Sequence, residues 1–484
     1  MPAPETRPPA SAVAAPKAVQ PGAPPVTAPD APALSPQAPA PFPGRVAGIR
    51  VREWLREAVD SHPAVMSAQQ RLSAAISEVE FARWQFYPTP SLGFETAARN
   101  AAPGSNQRTG FVRLQQPLYT GGRLSQQLSR ATANSKVSAL TVDEERRTIA
   151  LRMVQALGDG RAAAIKRQAY RESAASHVEF LGLVQRRVSE GLSPRGDVVL
   201  ARSRLSSVRA DLESAEVQLD QALSRLEQLL GRPLEAGEYA ALRADAVDDA
   251  AADWAMPPIE RLIQLSLQAS PSVNRSLAEL EARRADIGLA RASLSPEVYV
   301  RAERSRGNVG AGQSQIYFGV GSNFGAGLSD RSTVSAAEQR LQAQQAEVDA
   351  RRRELTEQVR SEHTLALSGE RRVTVLADSA NYAATVVQAW QRQFLAGRKS
   401  WQELMNAARE KAQADALLGE ASAARWVAMH RLRLLAEGVD DFVGASIRMP
   451  DQPAGGAPGK SEVPQVLDGT SRSEPGQARP VDRS

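Results

Sequence analysis

Residues 123–191 read RLSQQLSRATANSKVSALTVDEERRTIALRMVQALGDGRAAAIKRQAYRESAASHVEFLGLVQRRVSEG, and the reading of this stretch decides the fold. No proline occurs between Pro117 and Pro194, and Ala, Leu, Arg, Gln and Glu, which cost little in a helix, dominate. The pattern predicts one continuous helix, roughly 100 Å long at 1.5 Å per residue, about three times the span of a small domain. A rod of that length needs neighbours lying along it. It is bracketed by a turn, Gln116-Pro117-Leu118-Tyr119-Thr120-Gly121-Gly122, and by a glycine-broken reversal, Gly191-Leu192-Ser193-Pro194-Arg195-Gly196-Asp197.

After the reversal a second helix is expected over Asp197 to Leu230. Its apolar positions Val198, Ala201, Leu205, Val208, Leu212, Ala215, Leu219, Ala222, Leu226 and Leu229 step by 3 and 4, the signature of helices packed along their length. Gly231-Arg232-Pro233 ends it, and the acidic, alanine-rich stretch to Pro257-Pro258 reads as a connector with little structure of its own. Upstream, an amphipathic helical pattern runs from Val51 to Tyr87, interrupted at Pro63 and stopped at Pro88. Ser91 to Thr96 and Thr109 to Leu114 alternate in polarity about the polar loop Asn100 to Asn106, which predicts a β-hairpin.

The chain then begins again. An offset of 208 places Pro63 on Pro271 and Pro88 on Pro296, and His62-Pro63-Ala64-Val65 answers Ser270-Pro271-Ser272-Val273. A second hairpin is expected from Glu297 to Ala302 and Ile316 to Val320, flanking the loop Arg306 to Gly312, with Asn323 to Leu328 as its turn into a second rod reaching about Ala396. Gly397-Arg398-Lys399-Ser400 is the second reversal. In the return helix the seam recurs at an offset of 206, but Lys411 and Arg425 interrupt it, so this copy is expected to be weaker or partly wetted.

Composition narrows the function. Aromatic residues are 5% of the chain, which suits closely approaching helices better than a thick globular interior. A net charge of +5 from 59 basic and 54 acidic residues is too small to argue for nucleic acid. The absence of cysteine excludes disulfides, Cys-based zinc sites and thiol catalysis, and His62, His177, His363 and His430 offer no pair on one helix face. No nucleophile-base-acid set or phosphate-cradling loop stands out, so an enzyme is not expected, nor a cofactor or metal. No apolar run approaches the ~20 residues of a transmembrane helix. The Pro/Ala-rich residues 1–48 do not read as a secretory signal peptide, and they and residues 450–484 are expected to be disordered.

Any membrane insertion must therefore use strands. Each half reads as short helix, hairpin, long helix, reversal and return helix, giving four strands in all. Four strands cannot close a membrane barrel, and every edge in lipid must be paired because an unpaired backbone group there costs several kcal/mol. The hairpins must close with other copies, which predicts a homo-oligomer. The competing reading is a soluble coiled-coil scaffold or periplasmic adaptor, but an adaptor should show one helical hairpin flanked by compact β domains.

These residues resemble the TolC family of outer-membrane channels over about Ile49 to Gly438. The resemblance rests on the duplicated layout, the Gln116 to Gly122 turn, the Arg187-Val188-Ser189-Glu190-Gly191-Leu192 reversal and the Arg392-Gln393-Phe394-Leu395-Ala396-Gly397 reversal. It implies a mainly α fold with a small β part: duplicated antiparallel helical hairpins forming an α-barrel, and two β-hairpins giving four strands to a trimeric 12-stranded transmembrane barrel. The repeats would be residues 49–233 and 259–440, with 234–258 as an equatorial connector. The implied partners are a periplasmic adaptor, an inner-membrane ABC transporter or proton-driven pump, and outer-membrane lipid. Positions carried over from the family place the periplasmic gate at Asp197, Phe394, Lys399, Glu403 and Asn406, with Lys399 facing Asp197, and adaptor contacts at Gly191, Leu192, Gly397 and Arg398. The uncharged Asn406, the hydroxyl-free Phe394 and Lys399 in place of the usual arginine depart from the family pattern and imply a looser gate. The Pro-Leu-Tyr-Thr-Gly-Gly turn and the missing cysteine lean toward type I protein secretion, with multidrug or metal efflux as the alternative.

Overall fold

A single helix does occupy the proline-free stretch, over the 67 residues Arg123–Ser189. The computed structural model describes residues 49–98, 106–249, 254–307, 312–322 and 329–443, all within one unit, Val46–Ser484. The expected N-terminal arm and C-terminal tail, most of both hairpin loops, the Asn323 to Leu328 turn and part of the connector lie outside the described residues.

In chain order the first repeat comprises α1 (Val51–Ser61), α2 (Pro63–Trp84), β1 (Thr89–Ala98), β2 (Asn106–Tyr119), α3 (Arg123–Ser189) and α4 (Arg195–Leu230), followed by α5 (Ala236–Arg243). The second comprises α6 (Ile259–Ala269), α7 (Pro271–Ala292), β3 (Glu297–Gly307), β4 (Gln313–Gly321), α8 (Asp330–Leu395), α9 (Trp401–Glu437) and α10 (Val439–Val443). The offset of 208 holds at both ends of α1 and α6 and of α2 and α7. Proline at the first helical position, where its missing N–H is harmless, sets the starts of α2 and α7. The caps differ in chemistry: His62 Nδ1 accepts from the Ala64 N–H at 3.1 Å, and the Ser270 hydroxyl from Val273 N–H at 3.4 Å.

Three expectations need correction. The strand β2 continues through Gln116, Pro117 and Leu118 to Tyr119, so only Thr120-Gly121-Gly122 turns the chain. The ladder shifts register between Pro117 and Tyr119, the irregularity a strand proline demands because it has no N–H to give. Gly121 and Gly122 sit at φ +59° and +88°, and a side chain at Gly121 would overlap Ser295. The connector is not featureless either. Its helix α5 opens with a reciprocal capping box between Glu235 and Glu238, and Arg232 bridges Glu238 at 2.8 Å and Glu57 at 3.0 Å.

The third correction concerns the return helices. On α4, Ala201, Leu205, Val208, Ala215, Leu219, Ala222 and Leu226 are buried and the other three seam residues half-buried, as the spacing predicts. Lys411 and Arg425 do wet the corresponding row of α9, yet α9 is not the weaker element. It lies between α8 and α3 and buries a second set of small residues, including Ala412, Ala416, Gly419 and Ala423. Its Val427 side chain fills the place a Cβ would take at Gly158 of α3, and Ile165 does the same at Gly419. His177 and His430, both buried, each donate Nδ1–H to the carbonyl four residues back at 2.8 Å and serve as packing residues.

The α3–α9 contact is therefore intolerant of bulk at its glycines. Gly158→Leu is expected to destabilise the fold by about 1–3 kcal/mol despite the better helix propensity of leucine. The measurement is the shift of the denaturant midpoint; an unchanged midpoint would mean the two helices separate without cost.

Candidate functional site

The four strands form one antiparallel sheet in the order β1-β2-β3-β4, so the two repeats meet at β2 and β3, and among the described residues the outer edges of β1 and β4 have no partner strand within the chain. The strands have 10, 14, 11 and 9 residues, the length scale a tilted strand needs to cross a bilayer. Among the described residues no helix is long and apolar enough to do so.

Register sorts the side chains, because directly opposed residues share a face and successive ones alternate. Leu92 opposes Val112, Leu114 opposes Ala302 and Ala302 opposes Ile316; Val300 opposes Phe318 and Val298 opposes Val320. This apolar face is bare: Phe94 is 92% exposed, Leu92 81%, Phe318 77% and Ile316 72%. The other face is polar and internally bonded. Arg113 Nε donates to Glu303 at 2.9 Å and Arg301 to Gln115 at 3.0 Å, while the Phe111 and Tyr299 rings lie over Gly93 and Gly319. Where this face meets the helices, a cavity of about 400 Å³ opens, lined by Gln85, Ser91, Arg113, Thr120, Arg123 and Glu297 among others. One face thus suits lipid and the other suits water.

The two reversals occupy the opposite end of the long helices. Both stop in the same way: Gly191 and Gly397 adopt φ +73° and +72°. Leu192 N–H then bonds back to Arg187 O at 2.8 Å and Arg398 N–H to Gln393 O at 2.9 Å, capping the last helical carbonyls. A shared apolar cluster holds them together, with Phe180 and Val184 from α3, Ala201 from α4, Phe394 from α8, and Trp401, Leu404 and Met405 from α9.

Of the residues the resemblance points to, Phe394 is buried in this cluster beneath the Arg187 guanidinium, 5.2 Å from its ring. Lys399 Nζ meets Glu403 Oε1 at 2.8 Å and lies 4.5 Å from the Trp390 ring centre. The second Glu403 oxygen accepts from the Ser400 N–H at 3.0 Å and hydroxyl at 2.9 Å, while the Ser400 hydroxyl receives the Glu403 N–H, a complete capping box. Lys399, followed by the Ser400 N–H and hydroxyl, pulls the Glu403 carboxyl down to about 2. Asp197 occupies the matching position in the first turn of α4, half-buried, and among the described residues no ion pair joins it to Lys399. Asn406, Gly191, Leu192, Gly397 and Arg398 are exposed. The sequence reading places Arg187 and Ser400 in the reversals without giving them a site role and passes over Trp390 and Trp401, although Ser400-Trp401-Gln402-Glu403 carries the spacing of a capping box. Among the described residues no cluster of His, Cys, Asp or Glu could hold a metal.

A sheet with one lipid-compatible face, joined through long helices to paired reversals, is the layout of an outer-membrane channel subunit. Residues 54–232 and 262–437 match the family model described as outer membrane efflux protein, one segment in each repeat. The chain belongs to that family. It is a TolC-like outer-membrane channel with a periplasmic extension, a non-catalytic conduit for export across the envelope. The open-state MtrE outer membrane channel of Neisseria gonorrhoeae is similar at a TM-score of 0.69 and 16% identity, over 81% of this chain and 90% of that one. The Campylobacter jejuni CmeC outer membrane channel gives 0.69 and 13%, over 80% and 85%. The Vibrio cholerae outer membrane protein VceC gives 0.67 and 15%, over 80% and 96%. No curated protein matches the chain significantly.

The two faces should respond differently to charge. Val300→Lys, on the apolar face, is expected to cost about 2–4 kcal/mol in the bilayer and to abolish outer-membrane assembly. Thr109→Lys, on the polar face opposite Glu95, should assemble normally. Fractionation with unheated electrophoresis reads both, and equal tolerance would count against the assignment of faces.

Proposed function

We propose that this chain is the outer-membrane duct of an efflux pump, carrying small toxic solutes such as drugs or metal ions out of the cell. The supporting observation is the match of both repeats to the outer membrane efflux family. This reverses the lean toward type I secretion, which rested on a strand-to-helix turn and an absent cysteine, features of anchoring rather than of cargo. Deleting the gene should make the cell more susceptible to toxic small solutes, with native susceptibility restored by the intact chain. Unchanged susceptibility with loss of an exported protein would return the assignment to secretion.

The working unit is a homotrimer. Two unpaired sheet edges per chain support it: β4 of one copy would pair with β1 of the next as β2 pairs with β3 within the chain, giving twelve strands and no edge. The helices would close around the same axis as an α-barrel. An inner-membrane pump, through a periplasmic adaptor, would supply the energy. The adaptor would dock on the reversals, where Gly191, Leu192, Gly397 and Arg398 are exposed beside the apolar Val199 and Leu395.

At the same end Asp197, Phe394, Lys399, Glu403 and Asn406 would form the gate. Within one copy Lys399 is held by Glu403, so closure requires Lys399 to be shared with, or passed to, a carboxylate such as Asp197 of a neighbouring chain. The depressed carboxyl of Glu403 sets the pH response. Its stabilising contacts are complete above the ordinary carboxylate range and are lost only as pH falls through about 2. Single-channel conductance should therefore be flat between pH 7 and 4. Lys399→Met should raise the conductance and move the Glu403 titration upward toward the ordinary carboxylate range, the Ser400 N–H and hydroxyl still holding it below that range. An unaltered conductance at every pH would remove the pair from the gate.

A further inference from the structure

The four long helices form a layer in the order α4, α3, α9, α8, each packed on the next. Return helices and rods alternate along it, so the layer ends in a return helix at one flank and a rod at the other. Both flanks carry an exposed stripe. On α8, Leu367, Val375 and Tyr382 are 40%, 67% and 71% exposed, and the exposed Arg371 lies on the same helical row. On α4, Arg202, Ala210, Glu213 and Val217 are exposed at matching spacing.

The chain supplies its own template for joining such flanks. The contact between repeats, α3 on α9, is also a rod against a return helix, antiparallel, with Val427 against Gly158 and Ile165 against Gly419. The offset of 206 holds at this level of the rods: Gly160 meets Ala222 and Leu226, and their counterparts Ala366, Ala428 and Leu432 share one apolar cluster. Carrying the α3 residue forward by 206 and the α9 residue back by 206 therefore turns the Ile165–Gly419 contact into Arg371 facing Glu213, two opposite charges. From that anchor, one turn brings Leu367 to Val217, and one turn the other way brings Val375 to Ala210. Three turns bring Tyr382 to Arg202, whose guanidinium suits an aromatic face. A slip of one turn sets Arg371 against Val217 or Arg209 and leaves Glu213 facing Val375 or Leu367, so the charges favour a single register.

We propose that α8 of one copy packs on α4 of the next in this register, with Arg371 paired to the partner's Glu213 and Tyr382 stacked on the partner's Arg202. The seam rests on the homotrimer and gives it a defined helical contact, repeated three times to close the layer on itself.

The native chain has no cysteine, so an introduced pair reports one contact. The two positions lie at opposite flanks of the layer, and a bond between them must join two copies. Glu213→Cys with Arg371→Cys, in the full chain in outer-membrane fractions, is oxidised with copper-phenanthroline and run heated without reductant. Covalent trimers are expected, about tenfold more than from Val217→Cys with Arg371→Cys, one turn out of register, because a disulfide tolerates only a narrow Cβ separation. Should the first pair not assemble, Leu367→Cys with Val217→Cys is expected to link equally well. Glu213→Arg should lower the temperature at which the assembly dissociates on unheated gels by about 3–5 °C, and adding Arg371→Glu should restore it. Equal linkage of the out-of-register pair overturns the register, and a loss that Arg371→Glu does not restore overturns the ion pair. Trimers on unheated gels with no linkage at either matched pair overturn the seam and leave the trimer standing. A native chain that runs as a monomer on unheated gels overturns the trimer and the seam together.

Discussion

A strand in a bilayer must give each backbone N–H and C=O to another strand, because lipid offers neither donor nor acceptor. Every larger feature of this chain follows from that demand. The order β1-β2-β3-β4 satisfies the three internal seams and leaves two edges. Duplication supplies the solution as well as the problem, since the contact between repeats at β2 and β3 would serve as a template for the proposed contact between chains. The helices inherit the same arrangement: α3 packs on α7 between repeats as α2 packs on α3 within one. In the proposed trimer, a sheet curving to meet its copies would set the helices below it side by side around the same axis.

That geometry explains the composition. Helices held parallel over roughly 100 Å cannot be kept apart by large side chains without splaying, so alanine and glycine carry the contacts. Gly158 and Gly419 admit Val427 and Ile165 directly against the facing backbone. Alanine contributes little area per residue, but the length of the contact compensates, and each alanine surrenders no side-chain entropy.

The same property limited what could be read in advance. Proline positions carry a hard geometric meaning, so the repeat was legible from the pairs Pro63/Pro271 and Pro88/Pro296, and the starts of α2 and α7 from the first of them. Large apolar residues at heptad spacing exposed one face of α4. The second face of α9 was hidden because Ala412, Ala416 and Ala423 are as common on surfaces as in cores, and Lys411 and Arg425 drew attention to the wetted row. Pro117 concealed the end of β2, since a strand proline is tolerated only where the ladder slips. At the reversals the glycines were legible and the electrostatics were not. Lys399 could be assigned a partner across the tip only by analogy, whereas the carboxylate four residues on, in the first turn of α9, is nearer and already oriented by Ser400.

The two reversals show how a duplicated backbone divides its labour. Offset by 206, they share the left-handed glycine and the hydrogen bonds that end α3 and α8. Beyond that they diverge at all six matched positions from 192 to 197, among them Leu192 against Arg398, Pro194 against Ser400, and Asp197 against Glu403. Proline at the cap of α4 has no hydroxyl, so Asp197 is left without the reciprocal bond that engages Glu403. The second reversal is consequently fastened by its own side chains. The first keeps a half-buried carboxylate whose negative charge is favoured at a helix start but not consumed there. In the proposed trimer, where the two would alternate in a ring, the fastened turns would hold the shape of the tip and the unfastened carboxylates would remain available to neighbours, the two things a gate needs.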